Sequence, residues 1–92
     1  MKSRAEAEQE VRSWGFTHVF TWSDGPNAHY PPHTHLGLTT HLILKGELSV
    51  RYPDDQEPKK EAFGPGGRLD VDAGRRHEVW MSKEGCEYVI GE

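Results

Sequence analysis

The sequence predicts an all-β sandwich or barrel preceded by one short helix. Beyond Gly15, short runs rich in Val, Ile, Thr, Tyr, Phe and Trp recur at close spacing, as in HVFTW, RLDVD, RHEVWM and EYVIG. Turn-forming clusters such as SDGPN separate them, which is the pattern of a sandwich or barrel. The opening stretch SRAEAEQEVRSWG reads differently: Ser3 is an N-cap, Glu6 three residues later completes a capping box, and Gly15 stands where a helix stops. Residues 1–15 are therefore expected to form a helical segment and residues 16–92 the β domain.

The strands follow in order. HVFTW is the first and AHYPPHTH the second. The most informative is TTHLILKGELSVRY, in which alternation points Thr39, His41, Ile43 and Lys45 one way and Thr40, Leu42 and Leu44 the other. Both faces are partly apolar, so this strand belongs inside a sandwich or beneath a subunit interface. KGE is expected as a tight turn or bulge, with LSVRYP returning, and DDQEPKKE as a charged hairpin tip. RLDVD, RHEVWM and EYVIG supply the remaining strands.

A chain of 92 residues is one domain that buries only about 60 to 65% of its unfolded surface, so a partner subunit or bound ion is a natural source of extra stability, and a homodimer is expected. Three Trp, three Tyr and three Phe are enough for a core. The net charge is -4, and the longest basic clusters are the pairs Lys59-Lys60 and Arg75-Arg76, so phosphate backbones are repelled and no nucleic-acid partner is expected. No apolar run approaches the roughly 20 residues that cross a bilayer, and MKSRAEAEQE lacks the apolar region of a secretory signal. The expectation is a cytoplasmic protein without a membrane partner. The single cysteine, Cys86, excludes an internal disulfide and reads as a small apolar residue at a strand start.

Chemistry concentrates in YPPHTHLGLTTHLILKGEL, where His33, His35 and His41 fall within nine residues. Strand residues two apart share a face with Cα atoms roughly 6.5 to 7 Å apart, so His33 and His35 can tilt toward one ion. An imidazole site needs nitrogen-to-metal distances near 2.0 to 2.1 Å and, with an open position, usually three protein ligands. His77 is the candidate third: it follows a turn signal at Gly74 and begins a strand in which His77, Val79 and Met81 share a face. The competing reading makes these histidines surface or capping residues. His18 and His29 read as edge positions, and Arg75 and Arg76 as solvated charge or an anion contact at a pocket rim. Val79, Trp80, Met81, Tyr88 and Ile90 are core residues by default, with pocket lining as the alternative.

At this point the sequence resembles the cupin family, whose motifs read G(x)5HxH(x)3-4E(x)6G and G(x)5PxG(x)2H(x)3N. HTHLGLTTHLILKG places His33 and His35 on the HxH pair, Thr39 on the glutamate and Gly46 on the closing glycine. GGRLDVDAGRRHEVWM places Gly66, Gly74 and His77 on the second motif, with Asp72 where proline is usual and Met81 where asparagine is common. The resemblance spans roughly Trp22 to Gly91 and implies a single cupin-like β-barrel, a double-stranded β-helix or jelly roll. It further implies a divalent ion held by His33, His35 and His77, with Thr39, Ile43, Val79 and Met81 around the pocket. Thr39 is a neutral hydroxyl in place of a carboxylate. His41, one pleat further on the same face, then stands as a fourth ligand, a pocket residue able to donate a proton, or a core histidine. Neutral imidazoles leave the ion's charge uncompensated and suit Zn, Fe, Mn, Ni or Cu. The implied function is metal-dependent chemistry, oxygenase-like or of the isomerase or lyase kind, on a small molecule that is anionic or enolisable. The alternative is a binding or sensing module without catalysis.

Overall fold

The computed structural model describes residues 2–92. One helix, α1 (Arg4–Ser13), precedes six strands: β1 (Val19–Asp24), β2 (His29–His33), β3 (Thr39–Arg51), β4 (Glu61–Phe63), β5 (Arg68–Val71) and β6 (His77–Gly91). The helix begins as its sequence dictates. The Ser3 hydroxyl accepts from the Glu6 N–H at 3.1 Å, and the Glu6 carboxylate accepts from the Ser3 N–H at 3.1 Å. Gly15, at φ 101°, turns the chain away after the C-cap at Trp14.

All strand pairings are antiparallel, and β3 and β6 are long enough to run through two sheets. In one sheet β1 pairs the second half of β6, which pairs the first half of β3, which pairs β5. In the other, β2 pairs the first half of β6, which pairs the second half of β3, which pairs β4. The two sheets enclose a core of Ile43, Leu48, Val50, Leu69, Val71, Val79, Met81, Cys86 and Tyr88.

The passage between the sheets occurs at irregularities in both long strands. Ile43 pairs with Tyr88 but Lys45 with Glu87, so Leu44 has no counterpart; beyond Gly46, Ser82 to Gly85 swell out opposite Glu47. Because side chains alternate with period two, an odd insertion reverses the faces of everything that follows. The core side of β3 accordingly changes from Ile43 to Leu48 and Val50, and that of β6 from Val79 and Met81 to Cys86 and Tyr88. KGE is thus a bulge rather than a turn, and LSVR continues the same strand to Arg51. RHEVWM and EYVIG likewise form one strand of 15 residues.

The other face of β3 and β6 lies under α1. Ala7 and Val11, both fully buried, pack with Val19, Leu42 and Val89, and Leu44 joins at the margin. Burying a side chain such as Val11 contributes on the order of 1.5 kcal/mol. The apolar strip at Leu42 and Leu44, expected inside a sandwich or under a subunit interface, is covered by the chain's own helix. Among the described residues no helix is long and apolar enough to cross a membrane. Cys86 is buried, which pushes its thiol up to about 12 and leaves it an apolar packing group at neutral pH.

The bulges depend on two glycines. A Cβ at Gly46 (φ 74°) would stand 2.1 Å from the Gly85 carbonyl oxygen, and one at Gly85 (φ 78°) would stand 2.5 Å from the Asp24 carbonyl oxygen. Both obstacles are backbone, so neither yields. Gly46→Ala is therefore expected to lower the unfolding free energy by about 3 kcal/mol or more in chemical denaturation. Gly37→Ala, where a Cβ meets open space, should stay within about 0.5 kcal/mol of the wild type.

Candidate metal centre

His33 ends β2 and His77 begins β6, and the antiparallel register places them directly opposite each other. β2 pairs with β6 alone among the described strands, and this edge position is what tolerates Pro31 and Pro32, which have no N–H to give a ladder. His35 lies just past the strand. Its carbonyl accepts from the Gly74 N–H at 2.9 Å, which ties the HxH segment to the turn leading into His77. Gly74 holds that turn with φ 73°.

The ring centroids of His33 and His77 are 4.2 Å apart, and each lies 5.1 Å from that of His35. One ligand-capable nitrogen from each of the three lies within 4.8 Å of the others. Two imidazoles on one tetrahedral ion at 2.0 to 2.1 Å stand about 3.3 Å apart, so small side-chain rotations close the set.

The outward nitrogens of two of the three, His33 and His77, are already engaged. His33 Nδ1 donates to the Pro31 carbonyl at 2.7 Å and His77 Nδ1 to the Arg75 carbonyl at 2.9 Å. A carbonyl only accepts, so the proton sits on Nδ1 and Nε2 keeps its lone pair. Donation of the second ring nitrogen to a carbonyl is the arrangement that fixes tautomer and orientation in metal-binding histidines. Burial pushes His35 and His77 below the ordinary imidazole range, and their neighbouring histidines push the same way. At neutral pH these lone pairs are free to bind.

The residues fit a divalent transition ion on two counts. The donor set is three imidazoles, which suits Zn, Fe, Mn, Ni or Cu. Thr39, in the position of the carboxylate, is 3% exposed, and its Oγ1 is the only buried side-chain oxygen or nitrogen among the described residues that lacks a partner. A buried hydroxyl without a protein partner is one that a water or ion can satisfy.

The fourth imidazole stands apart. His41 is outside the group of three but lines the same cavity, of about 350 Å³. Its Nδ1 donates to the Leu69 carbonyl at 3.2 Å, its ring lies 5.9 Å from that of Tyr88, and burial pushes its pKa down to about 4. Of the expected pocket residues, Thr39 and Val79 line the cavity. Ile43 and Met81 do not: both are sunk in the core next to the bulges, where the inward face is changing over. Arg75 and Arg76 make no anion site either, because they pair with Asp55 at 3.1 Å and Asp54 at 3.0 Å in the β3–β4 loop. His18 and His29 bind Glu92 and Glu78 at the surface.

Tyr88 and Ile90 do line the cavity, and so do residues that the histidine pattern does not announce: Phe20, Trp22, Tyr30, Leu48 and Leu69. Asp24 organises this wall by accepting from the Tyr88 hydroxyl at 2.6 Å, the Tyr30 hydroxyl at 2.7 Å and the Trp22 indole at 3.1 Å. Burial, reinforced by Asp24, raises both phenols above the ordinary tyrosine value. The alternation of Phe20, Trp22 and Asp24 on β1 is the sequence signal that carries this wall.

No protein-family model and no curated protein matches the sequence. Solved structures do resemble the fold. A cupin-2 domain protein from Shewanella frigidimarina aligns with a TM-score of 0.66 at 19% identity, over 80% of this chain and 67% of its own. The polyketide cyclase RemF from Streptomyces resistomycificus aligns at 0.67 and 23% identity over 78% of this chain. A variant of oxalate decarboxylase from Bacillus subtilis aligns at 0.69 and 19% identity, also over 78%. The chain spans 50% of the cyclase and 19% of the decarboxylase. Its fold is that of the cupins.

The depressed imidazoles predict how the metal-free protein responds to acid. A group whose folded pKa lies below its unfolded value stabilises the fold above the unfolded pKa, and that stability is lost as pH falls toward the folded one. For His41 the window runs from about 6.5 down to about 4. Urea denaturation across this range should show stability falling with pH, and His41→Phe should flatten the decline by up to about 3 kcal/mol.

Proposed function

We propose that the protein binds one divalent transition-metal ion through His33, His35 and His77 and uses it in chemistry on a small molecule held in the adjoining cavity. The observation that carries this reading is the meeting of three imidazole nitrogens from two separate segments within 4.8 Å, with the outward nitrogens of His33 and His77 already donating to carbonyls. When bound, such an ion polarises an oxygen of the guest or activates O2 or water. Three neutral ligands leave its charge uncompensated, so an oxygen that ionises or enolises on binding is favoured. The side chains do the rest: the aromatic and aliphatic walls exclude water, and Asp24 holds the rings of Tyr30 and Tyr88 in place.

One of the fold neighbours carries a metal, which supports a metal site here. Bacillus subtilis oxalate decarboxylase has Mn(II) centres, and RemF is a polyketide cyclase. A second reading has one observation in its favour, Thr39 in place of the carboxylate. It makes the same cavity a binding or sensing module without turnover.

Elemental analysis of protein purified without added ions tests the proposal. The wild type and His41→Phe are expected to hold about one transition-metal ion per chain, and a His33→Ala, His35→Ala double variant to hold essentially none. Equal metal in wild type and double variant overturns the site. Oxygen-consumption screening of the loaded protein then separates enzyme from binding module.

A further inference from the structure

The β3 wall of the cavity carries one polar group that the metal chemistry leaves unused. His41 Nδ1 donates to the Leu69 carbonyl at 3.2 Å, which places the ring proton there and leaves the lone pair on Nε2. Nε2 has no protein partner, yet it is not sealed from solvent, since Thr39 Oγ1 is the only sealed and unpartnered side-chain nitrogen or oxygen among the described residues. The open space beside His41 is the cavity.

The surroundings restrict what this lone pair can meet. Burial that holds His41 down to about 4 keeps it neutral, so it offers an acceptor and no charge. The neighbouring phenols of Tyr30 and Tyr88 are both spent on Asp24. No Lys or Arg lines the cavity, and its one acidic lining residue is Glu92. Away from the ion, therefore, nothing in the wall pairs with an anion. An oxygen that carries a proton satisfies Nε2; an ether or carboxylate oxygen sets lone pair against lone pair and leaves both unpaired.

We propose that His41 Nε2 is a specificity-determining acceptor that selects a neutral, hydroxyl-bearing guest, a phenol, enol or alcohol on an aromatic or alicyclic body. This deepens the metal reading and rests on it for the chemical use of the guest, whereas the binding itself needs no ion. A cavity of about 350 Å³ accommodates a body of two fused rings.

Three probes of one shape test it: 2-naphthol, its methyl ether 2-methoxynaphthalene, and 2-naphthoate. Each is titrated by fluorescence into chelator-treated protein, wild type and His41→Phe, and the histidine ring nitrogens of the wild type are followed by 15N NMR. The expected result is 2-naphthol binding at least about tenfold tighter than the other two, a shift of the His41 Nε2 resonance on binding, and loss of the preference in His41→Phe. The proposal is overturned if the ether binds as tightly as the naphthol, if naphthoate binds best, if no probe binds, or if the Nε2 resonance stays put. The probe series and the NMR shift need only wild-type protein, so they decide the matter even where the variant does not fold. Zinc titration of the same sample separates this from the metal reading: unmoved His33 and His77 resonances sink the metal site and leave the naphthol preference standing.

Discussion

The reversal of inward face in β3 and β6 is the constraint from which the cavity and its site follow. Each long strand serves two sheets, and each can do so only because extra residues change which side chains look inward as the strand passes from one sheet to the other. Gly46 and Gly85 meet at this crossing, where the backbones come too close for a Cβ. Below the crossing the inward residues fill a core. Residues of β1, β2, β3, β5 and β6 line the cavity, and the histidines sit on its wall.

Placing the imidazoles there has an electrostatic result. Burial withholds the solvation that a protonated ring needs, so the rings stay neutral at pH values where an exposed histidine is partly charged. Backbone carbonyls then decide which nitrogen is bare. Pro31 and Arg75 direct the lone pairs of His33 and His77 away from their own carbonyls, while Leu69 does the same for His41 at a separate place on the wall. One cavity thus presents a cluster of lone pairs suited to a cation and a lone acceptor suited to a proton.

Much of this was legible in the sequence, because its signals are local. The capping box of α1 is four consecutive residues, the HxH pair follows strand alternation, and Gly74 announces the turn before His77. What was not legible depends on non-local register. Extending the alternation of TTHLILK through Gly46 puts Lys45 inward; the bulge that cancels this is a property of the β3–β6 pairing and has no signature beyond a glycine. Ile43 does face inward, but into the core rather than the cavity. Met81 likewise faces inward with Val79 but is buried in the core beside the β6 irregularity, and periodicity alone does not tell core from cavity wall. His41 was correctly placed on the inward face, but its separation from the other three imidazoles depends on where β5 offers the Leu69 carbonyl. The Asp24, Tyr30 and Tyr88 cluster joins three strands, and beyond the alternation of Phe20, Trp22 and Asp24 on β1 it has no local pattern.

The central claim is that three imidazoles, and three only, share one ion. Zinc-loaded protein examined by X-ray absorption at the metal edge measures this directly. The account predicts three imidazole nitrogens at about 2.0 to 2.1 Å, with any remaining position filled by water or a light-atom ligand. A first shell of four imidazoles, or a zinc environment without imidazole, would contradict it.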